Sequence, residues 1–540
     1  MKEVVTKKDH IRNIAIITFV YLLTHGFILT LTGTWWDEHT WAFSSYEQMW
    51  NTSLQLGKPS SYFVMRFIFG IPEAFARLLI FTCYYLGTLG IYYIYSQVPF
   101  VNTRCAVLMT LLYIAIPAND ARAMRGVFPY TVGYFFFILA FCALIFLQNR
   151  YDYKNFFFRG LVLLLFACSF TLNSNLVFYA LPLLYIFYYI IKNGQIKRIY
   201  RYLDFAILPF VYFILKVKLY PAHGAYEGYN EVTLHEMVVS VFQTIRVCYG
   251  GLINIARFWE KYKCVGILPV IIVSFTTGLA LLCKRKYKGK YQLYGISIKE
   301  RIILLAIGCM AMYLGAYAYV VIGMSNGIPW VGVGGRSSIL LCVGVAVTIY
   351  AVISWVPYEW IRTTICASAV LCGILHFNSY YLSYQQDYYR QQDLVSELKD
   401  NRGVLEETKN ILYITATEPK IGATRFYSLN SNGRKAFGDQ THFIMNGIND
   451  FGYLVGSSSY TLEEFGAEYQ MAEYEIGRSS DIEAIIIYEN DLSLKDTFFL
   501  KVKEIFAHSK FEEELYSETN LIVYIPGMAE FDETLETLLR

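Results

Sequence analysis

Two adjacent carboxylates, Asp37 and Glu38, sit in Trp35-Trp36-Asp37-Glu38-His39-Thr40-Trp41, directly after a long apolar run. Tryptophan favours the membrane–water boundary because its ring prefers the apolar side while its N–H stays hydrated. That accounts for the tryptophans but not for the carboxylates, which cost free energy when drawn toward hydrocarbon. A carboxylate in a partly desolvated site has a raised pKa and accepts a proton from a hydroxyl, so the pair is a candidate general base. Carboxylate oxygens also suit Mg²⁺ or Mn²⁺, which makes Asp37 and Glu38 candidate metal ligands. The plain alternative is a hydrated loop start in which Asp37 caps the following helix. His39 reads as a hydrogen-bonding neighbour rather than a ligand.

Cations recur in other polar loops. Ala121-Arg122-Ala123-Met124-Arg125-Gly126 carries arginines spaced to share one face of a helical turn. Paired guanidiniums suit a phosphate, each offering a planar fork of donors, whereas the alternative is snorkelling to headgroups. Gly334-Gly335-Arg336-Ser337-Ser338 places Arg336 beside glycines where an apolar run begins, an arrangement that fits either an anion site at a helix N-terminus or an ordinary turn. Leu56-Gly57-Lys58-Pro59-Ser60 adds Lys58, and Thr171-Leu172-Asn173-Ser174-Asn175 adds the uncharged donors Asn173 and Asn175, equally at home in a plain turn.

The elements that must position these groups are apolar helices. A chain that is 55% hydrophobic and 16% charged over 540 residues is too apolar for an ordinary soluble protein. A net charge of +3 with dispersed basic residues argues against nucleic acid as a partner. About eleven apolar stretches reach toward the 30 Å of a bilayer core: 14–31, 75–95, 105–117, 129–147, 161–170, 176–191, 205–219, 265–283, 302–322, 338–355 and 363–382. The first is read as an uncleaved span, since no small-residue cleavage site follows it.

Arg104, Arg150, Lys154, Arg159, Lys192, Lys197, Arg198, Arg201, the basic residues at 284–301 and Arg362 fall in alternate loops, and the positive-inside rule makes those loops cytoplasmic. Loops 35–62, 118–128, 171–175, 220–263 and 323–337 then share the opposite face with the C-terminal tail. The arginines of the second and last of these loops run against the charge rule. Acidic and basic groups therefore converge on one face, as phosphate-linked chemistry at a membrane surface requires.

The fold expected is a polytopic α-helical membrane protein, residues 1–383, followed by an extracytoplasmic α/β or α+β domain, residues 384–540. The tail opens with a polar helix at 384–409. Its strand-like runs are Ile411-Leu412-Tyr413-Ile414, Ala484-Ile485-Ile486-Ile487-Tyr488 and Leu521-Ile522-Val523-Tyr524-Ile525, with an amphipathic helix at 498–506. Tyr427, Tyr453, Tyr460 and Tyr469 are aromatics with which it could bind a glycan. All 11 cysteines lie between Cys83 and Cys372 without a CxxC pair, which reads as packing; Cys248 and Cys264 flank a loop where a disulfide would be feasible. No Walker loop, GxGxxG or HExxH is present.

Taken with the many-span layout and the trailing outside domain, Asp37-Glu38, Gly57-Lys58-Pro59-Ser60, Arg122, Arg125 and Arg336 make residues 1–382 resemble the GT-C class of integral-membrane glycosyltransferases. Within that class they resemble the bacterial GtrII-like and related families, in which two acidic residues precede a Gly-Arg-Pro turn; here Lys58 replaces the arginine. The resemblance implies transfer of a sugar from a polyprenyl-phosphate carrier onto a cell-envelope glycan outside the cytoplasmic membrane. It makes Asp37 the base, with Glu38 assisting or holding a metal, and gives Arg122, Arg125 and Arg336 the carrier phosphate. The rival readings are a transporter or flippase of lipid-linked saccharides, a glycan polymerase or ligase, and a non-catalytic scaffold. A transporter needs charge at the bilayer midplane, and the spans are poor in it, with Glu73 and Arg77 near the start of the second span as the main exceptions.

Overall fold

The computed structural model describes residues 7–148, 155–194, 196–228, 232–263, 297–408, 410–415, 426–438, 442–446, 482–515 and 519–539. The span expected at 265–283, the basic residues 284–290, Arg150, Lys154, Cys264, Tyr453, Tyr460, Tyr469 and the side chains of Arg198 and Tyr427 lie outside what it describes.

Among the described residues, seven helices are long and apolar enough to cross a membrane: Lys8–Thr30, Glu73–Gln97, Arg125–Leu147, Ser174–Lys192, Leu234–Ile253, Ile298–Val320 and Glu359–Asp400. Shorter apolar helices at Thr103–Ala115, Phe156–Ser169 and Leu341–Ile353 match the expected runs at 105–117, 161–170 and 338–355. At 1.5 Å per residue these are shorter than a full bilayer crossing. The run at 205–219 forms the helix Leu203–Leu219, which contains Pro209.

One element departs from the sequence reading. Residues 220–263, expected as an outside loop, contain the 30-residue helix Leu234–Lys263. Its apolar positions Leu234, Val238, Val241, Phe242 and Ile245 recur at helical spacing, with Glu236, Gln243 and Arg246 between them masking the run. Tyr313 and Tyr317 of the neighbouring helix donate their hydroxyls to the carbonyls of Val241 (3.1 Å) and Met237 (3.0 Å). Cys248 lies inside this helix, not at a loop edge.

The span at 363–382 and the polar helix at 384–409 are one continuous rod, Glu359–Asp400, of 42 residues. Its length is about 63 Å, twice a bilayer core, so it carries the chain from the apolar region into the C-terminal part without a hinge. There a four-stranded sheet has the order β2-β1-β3-β4, with β1 Asn410–Thr415, β2 Phe443–Asn446, β3 Ala484–Asn490 and β4 Thr519–Tyr524. β1 runs parallel to both β2 and β3, and β4 is antiparallel to β3. Parallel neighbours need a crossover, and helix Phe426–Phe437 lies between β1 and β2 in the chain. Leu394 and Leu398 from the rod pack with Ile411, Leu429, Ile444 and Ile486 in the core of this part. β2, the strand that the sequence reading omitted, is only four residues long.

A separate apolar cluster unites the loops named above. Leu31 and Trp35 pack with Ala121, Met124 and Val127 and with Phe377, Tyr381 and Tyr384 of the rod; Trp36, Tyr130 and Val333 lie against it. This cluster is the floor of the candidate site.

Candidate functional site: an acidic and cationic cluster on the first loop

The adjacent carboxylates divide their work. Glu38 is 0% exposed, and it accepts the N–H of Trp35 on one oxygen (3.2 Å) and that of Gly126 on the other (3.0 Å). It thereby fastens the first loop to the Arg125–Val127 turn. Burial raises its pKa above the ordinary carboxylate value, opposed by the charges of Arg77 and Arg125. Each oxygen accepts one backbone amide, so Glu38 fastens the loop, a task that the assisting or metal-binding role expected of it did not include.

Arg77 reinforces the same loop. Buried, it donates to the carbonyl of Gly33 (2.8 Å), to the carbonyl of Ala123 and to Glu73 (2.9 Å), and its guanidinium lies 4.6 Å from the Trp35 ring. Glu73 in turn accepts the Gly33 N–H at 3.0 Å. The charges flagged as transport candidates are therefore committed to holding two loops together at a helix start.

Asp37 stands at the N-cap position of helix Glu38–Phe43, as the plain reading has it, but its side chain makes no capping hydrogen bond. Trp36 before it has left-handed backbone (φ 52°), a conformation disfavoured for a bulky side chain and typical of functional turns. The Arg336 guanidinium sits 4.3 Å from the Trp36 ring and 6.0 Å from that of Tyr130, to which it is also hydrogen-bonded. The Tyr130 phenol is within electrostatic reach of Arg336, Lys58 and Asp37 together. Lys58 in turn is close enough to Lys216 for their charges to interact. Arg336 thus stacks on Trp36 next to Asp37, and the Tyr130 phenol beside it feels the charges of Arg336, Lys58 and Asp37.

The remaining candidates are placed elsewhere. Residues 120–127 form two short 3-10 turns, Asp120–Ala123 and Arg125–Val127, separated by extended Met124. The helical turn expected to align Arg122 with Arg125 is therefore absent. Arg122 is buried between the rings of Tyr84 and Phe377, each 5.0 Å away. It donates to the carbonyls of Asn119 (2.8 Å) and Ala118 (3.1 Å) and lies 3.3 Å from a ring nitrogen of His25. Facing the interior, it is not arranged to receive a phosphate. Arg125 is buried against Phe69 at 4.9 Å, with one donor 3.4 Å from the Thr34 hydroxyl. Asn175 is buried and donates to the carbonyls of Ser169 (2.8 Å) and Gly133 (3.1 Å), bracing its own turn, while Asn173 flanks the short helix Ser174–Phe178 without capping it.

His39 is a hydrogen-bonding neighbour, as expected, but of a distant residue: its Nδ1 pairs with the Ser431 hydroxyl at 2.9 Å, on helix Phe426–Phe437 of the C-terminal part. Burial, aided by the nearby Lys435 charge, lowers its pKa to about 3, so the ring is neutral. A second contact lies at Thr32, whose hydroxyl is 3.3 Å from both Glu504 and the Lys501 ammonium on helix Leu494–Phe506. Lys501 and Glu504 pair at 2.6 Å, and Tyr389 of the rod donates to Glu504 at 2.6 Å. The C-terminal part is bonded to the chain on either side of Asp37, at Thr32 and at His39.

A metal held by Asp37 and Glu38 does not fit this geometry. Glu38 is enclosed with both oxygens engaged, and among the described residues no group of three His, Cys, Asp or Glu side chains is arranged to hold an ion. Sequence reading also missed Lys216, hidden inside an apolar helix, and Asp120, whose immediate neighbours gave no pattern. The chain matches no known protein-family model, and no curated protein matches it significantly.

Proposed function

We propose that this protein is a GT-C-like membrane glycosyltransferase that moves a sugar from a polyprenyl-phosphate carrier to a cell-envelope glycan. The observation that carries the reading is the cluster beside Trp36, where the Asp37 carboxylate shares its electrostatic surroundings with Arg336, Lys58 and Tyr130. In this reading Asp37 takes the proton of the acceptor hydroxyl as that oxygen attacks the anomeric carbon. The carbon–oxygen bond to the carrier phosphate breaks, the configuration inverts, and the polyprenyl phosphate departs with the electron pair.

The leaving phosphate gains charge in the transition state, so preorganised cations there lower the barrier. In this reading Arg336 and Lys58 take that task, with the charge of Lys216 within reach of Lys58. Trp36 fixes the Arg336 plane by stacking. Glu38, Arg77 and Arg125 hold the loop, and Arg122 belongs to the floor below it.

Seven apolar helices support a membrane location. The reading places the site and the C-terminal part on the extracytoplasmic face of a bacterial cytoplasmic membrane, with the N-terminus inside. A flippase reading is weakened because Glu73 and Arg77 are tied to loop carbonyls and to each other rather than to a pathway.

The test is sugar transfer by the purified chain in lipid discs, using a panel of polyprenyl-phosphate sugars and matching glycan acceptors with and without EDTA. Release of polyprenyl phosphate coupled to a glycosylated acceptor, unaffected by EDTA, is the expected result. Movement of the intact donor between leaflets without bond cleavage would replace this reading with transport.

A further inference from the structure

Asp120 is 0% exposed and belongs to neither the base nor the cation set, yet it touches the two structures that frame them. Its Oδ2 accepts the backbone N–H of Gly332 at 3.0 Å and the hydroxyl of Tyr384 at 3.1 Å. Gly332 begins the turn Val333–Ser338 that delivers Arg336. Tyr384 lies on the rod Glu359–Asp400, and its carbonyl accepts the Trp35 indole N–H at 2.8 Å. One carboxylate therefore bridges the arm bearing Arg336 and the rod whose Tyr384 carbonyl holds Trp35.

The lacing is reciprocal. Asn119, held in left-handed backbone (φ 57°), donates its N–H to the carbonyl of Trp330 at 3.0 Å, so adjacent residues of one turn grip both ends of Trp330–Gly332. Gly332 has φ 68° and ψ −165°, a region open to glycine and essentially closed to other residues. A Cβ on Gly335 would stand 2.9 Å from the Trp330 carbonyl and 3.0 Å from Asp120 Oδ1. The glycines of this segment, which form no phosphate loop, are there to let the turn close over a carboxylate.

We propose that Asp120 is a positioning residue that latches the 330–338 turn to the rod and so holds Arg336 over Trp36. The donor-binding consequence rests on the glycosyltransferase reading; the latch itself does not. Asp120 is faced by Arg122 from its own turn, by Tyr381 and Tyr384 from the rod, and by the Gly332 amide from the turn. Burial, only partly offset by those hydrogen bonds and by Arg122, pushes its carboxyl up to about 7. The ionised form is the stronger acceptor, so the latch is tighter above that pH and looser below it.

The experiment uses the full chain in lipid discs, as wild type, Asp120→Asn and Gly335→Ala. The first readout is backbone hydrogen exchange in the peptide covering 330–338, which needs no substrate. Asp120→Asn keeps the shape and weakens the acceptor, and Gly335→Ala forces the turn outward from the other side. Both should speed exchange there about tenfold. The second readout is KM and kcat for the polyprenyl-phosphate sugar from pH 5.5 to 8.5. Wild-type KM should rise as pH falls through about 7, and Asp120→Asn should raise KM several-fold with a smaller change in kcat and remove the inflection.

Unchanged exchange in both variants overturns the latch. Faster exchange with an unaltered KM profile overturns its link to the donor site. Faster exchange in a chain that transfers no sugar leaves the latch standing and counts against the glycosyltransferase reading alone.

Discussion

The guanidinium of Arg336 lies 4.3 Å from the ring of Trp36, the residue immediately preceding Asp37. A tryptophan at φ 52° costs roughly 1–3 kcal/mol, and the stack with Arg336 is one of the contacts that offsets it. The strained residue before Asp37 is therefore braced in part by a cation from a loop about 300 residues away in sequence.

Arg336→Gln should lower kcat about 100-fold while leaving the fold intact, the size expected when one preorganised group facing developing charge is removed. Arg336→Lys should recover little, because an ammonium neither stacks on Trp36 nor holds a planar fork. Steady-state rates with a saturating lipid-linked donor check both, with Tm as the control for folding.

Glu38 separates architecture from chemistry. Glu38→Ala leaves the N–H groups of Trp35 and Gly126 unsatisfied and should cost about 1–3 kcal/mol of stability. Asp37→Asn should cost little. A thermal-shift comparison in detergent would order the two variants; the reverse order would assign the structural role to Asp37.

Acid should loosen the C-terminal part from the first loop. The folded pKa of His39, about 3, lies below its ordinary 6.5, so between those values the unfolded chain takes up a proton that the folded one refuses. The contribution is complete above pH 6.5 and is lost as pH falls toward 3. Limited proteolysis near helix Phe426–Phe437 should accelerate across that window in wild type and lose the pH step in His39→Gln. An identical step in both would trace it to another group.

The second docking point is testable separately. Glu504→Ala removes the acceptor of Tyr389 and the partner of buried Lys501, leaving an ammonium uncompensated. A loss of about 3 kcal/mol is expected. It should appear as faster hydrogen exchange in Leu494–Phe506 and in residues 30–34, with the apolar helices unaffected.

Much of the frame was legible in the residues because burial in lipid leaves a strong signature. The apolar runs within the described residues became helices, and β-branched Ile411–Ile414, Ala484–Tyr488 and Leu521–Ile525 supplied β1, β3 and β4. Leu234–Lys263 escaped because Glu236, Gln243 and Arg246 interrupt its apolar positions, so no continuous apolar run marks it. β2 was too short for alternation to register.

The candidate site divided along the same line. Residue type drew attention to Trp36, Asp37, Lys58 and Arg336, because charge beside tryptophan at a span end is unusual. The sequence could not say which of two adjacent carboxylates turns inward, since that depends on the Trp35 and Gly126 amides. The three-residue spacing of Arg122 and Arg125 implied a shared face only for a continuous helix, and extended Met124 breaks it. Asp120 gave no local signal because its partners, Gly332 and Tyr384, come from remote parts of the chain.

The most direct measurement is single-turnover transfer from a polyprenyl-phosphate sugar by wild type and Asp37→Asn in lipid discs, alongside equilibrium binding of the same donor. The account predicts that wild type transfers sugar and that Asp37→Asn binds the donor with similar affinity while its transfer falls at least about 100-fold. Equal transfer by the two proteins would contradict Asp37 as the base. Donor binding by both with no transfer by either would contradict the enzyme reading itself.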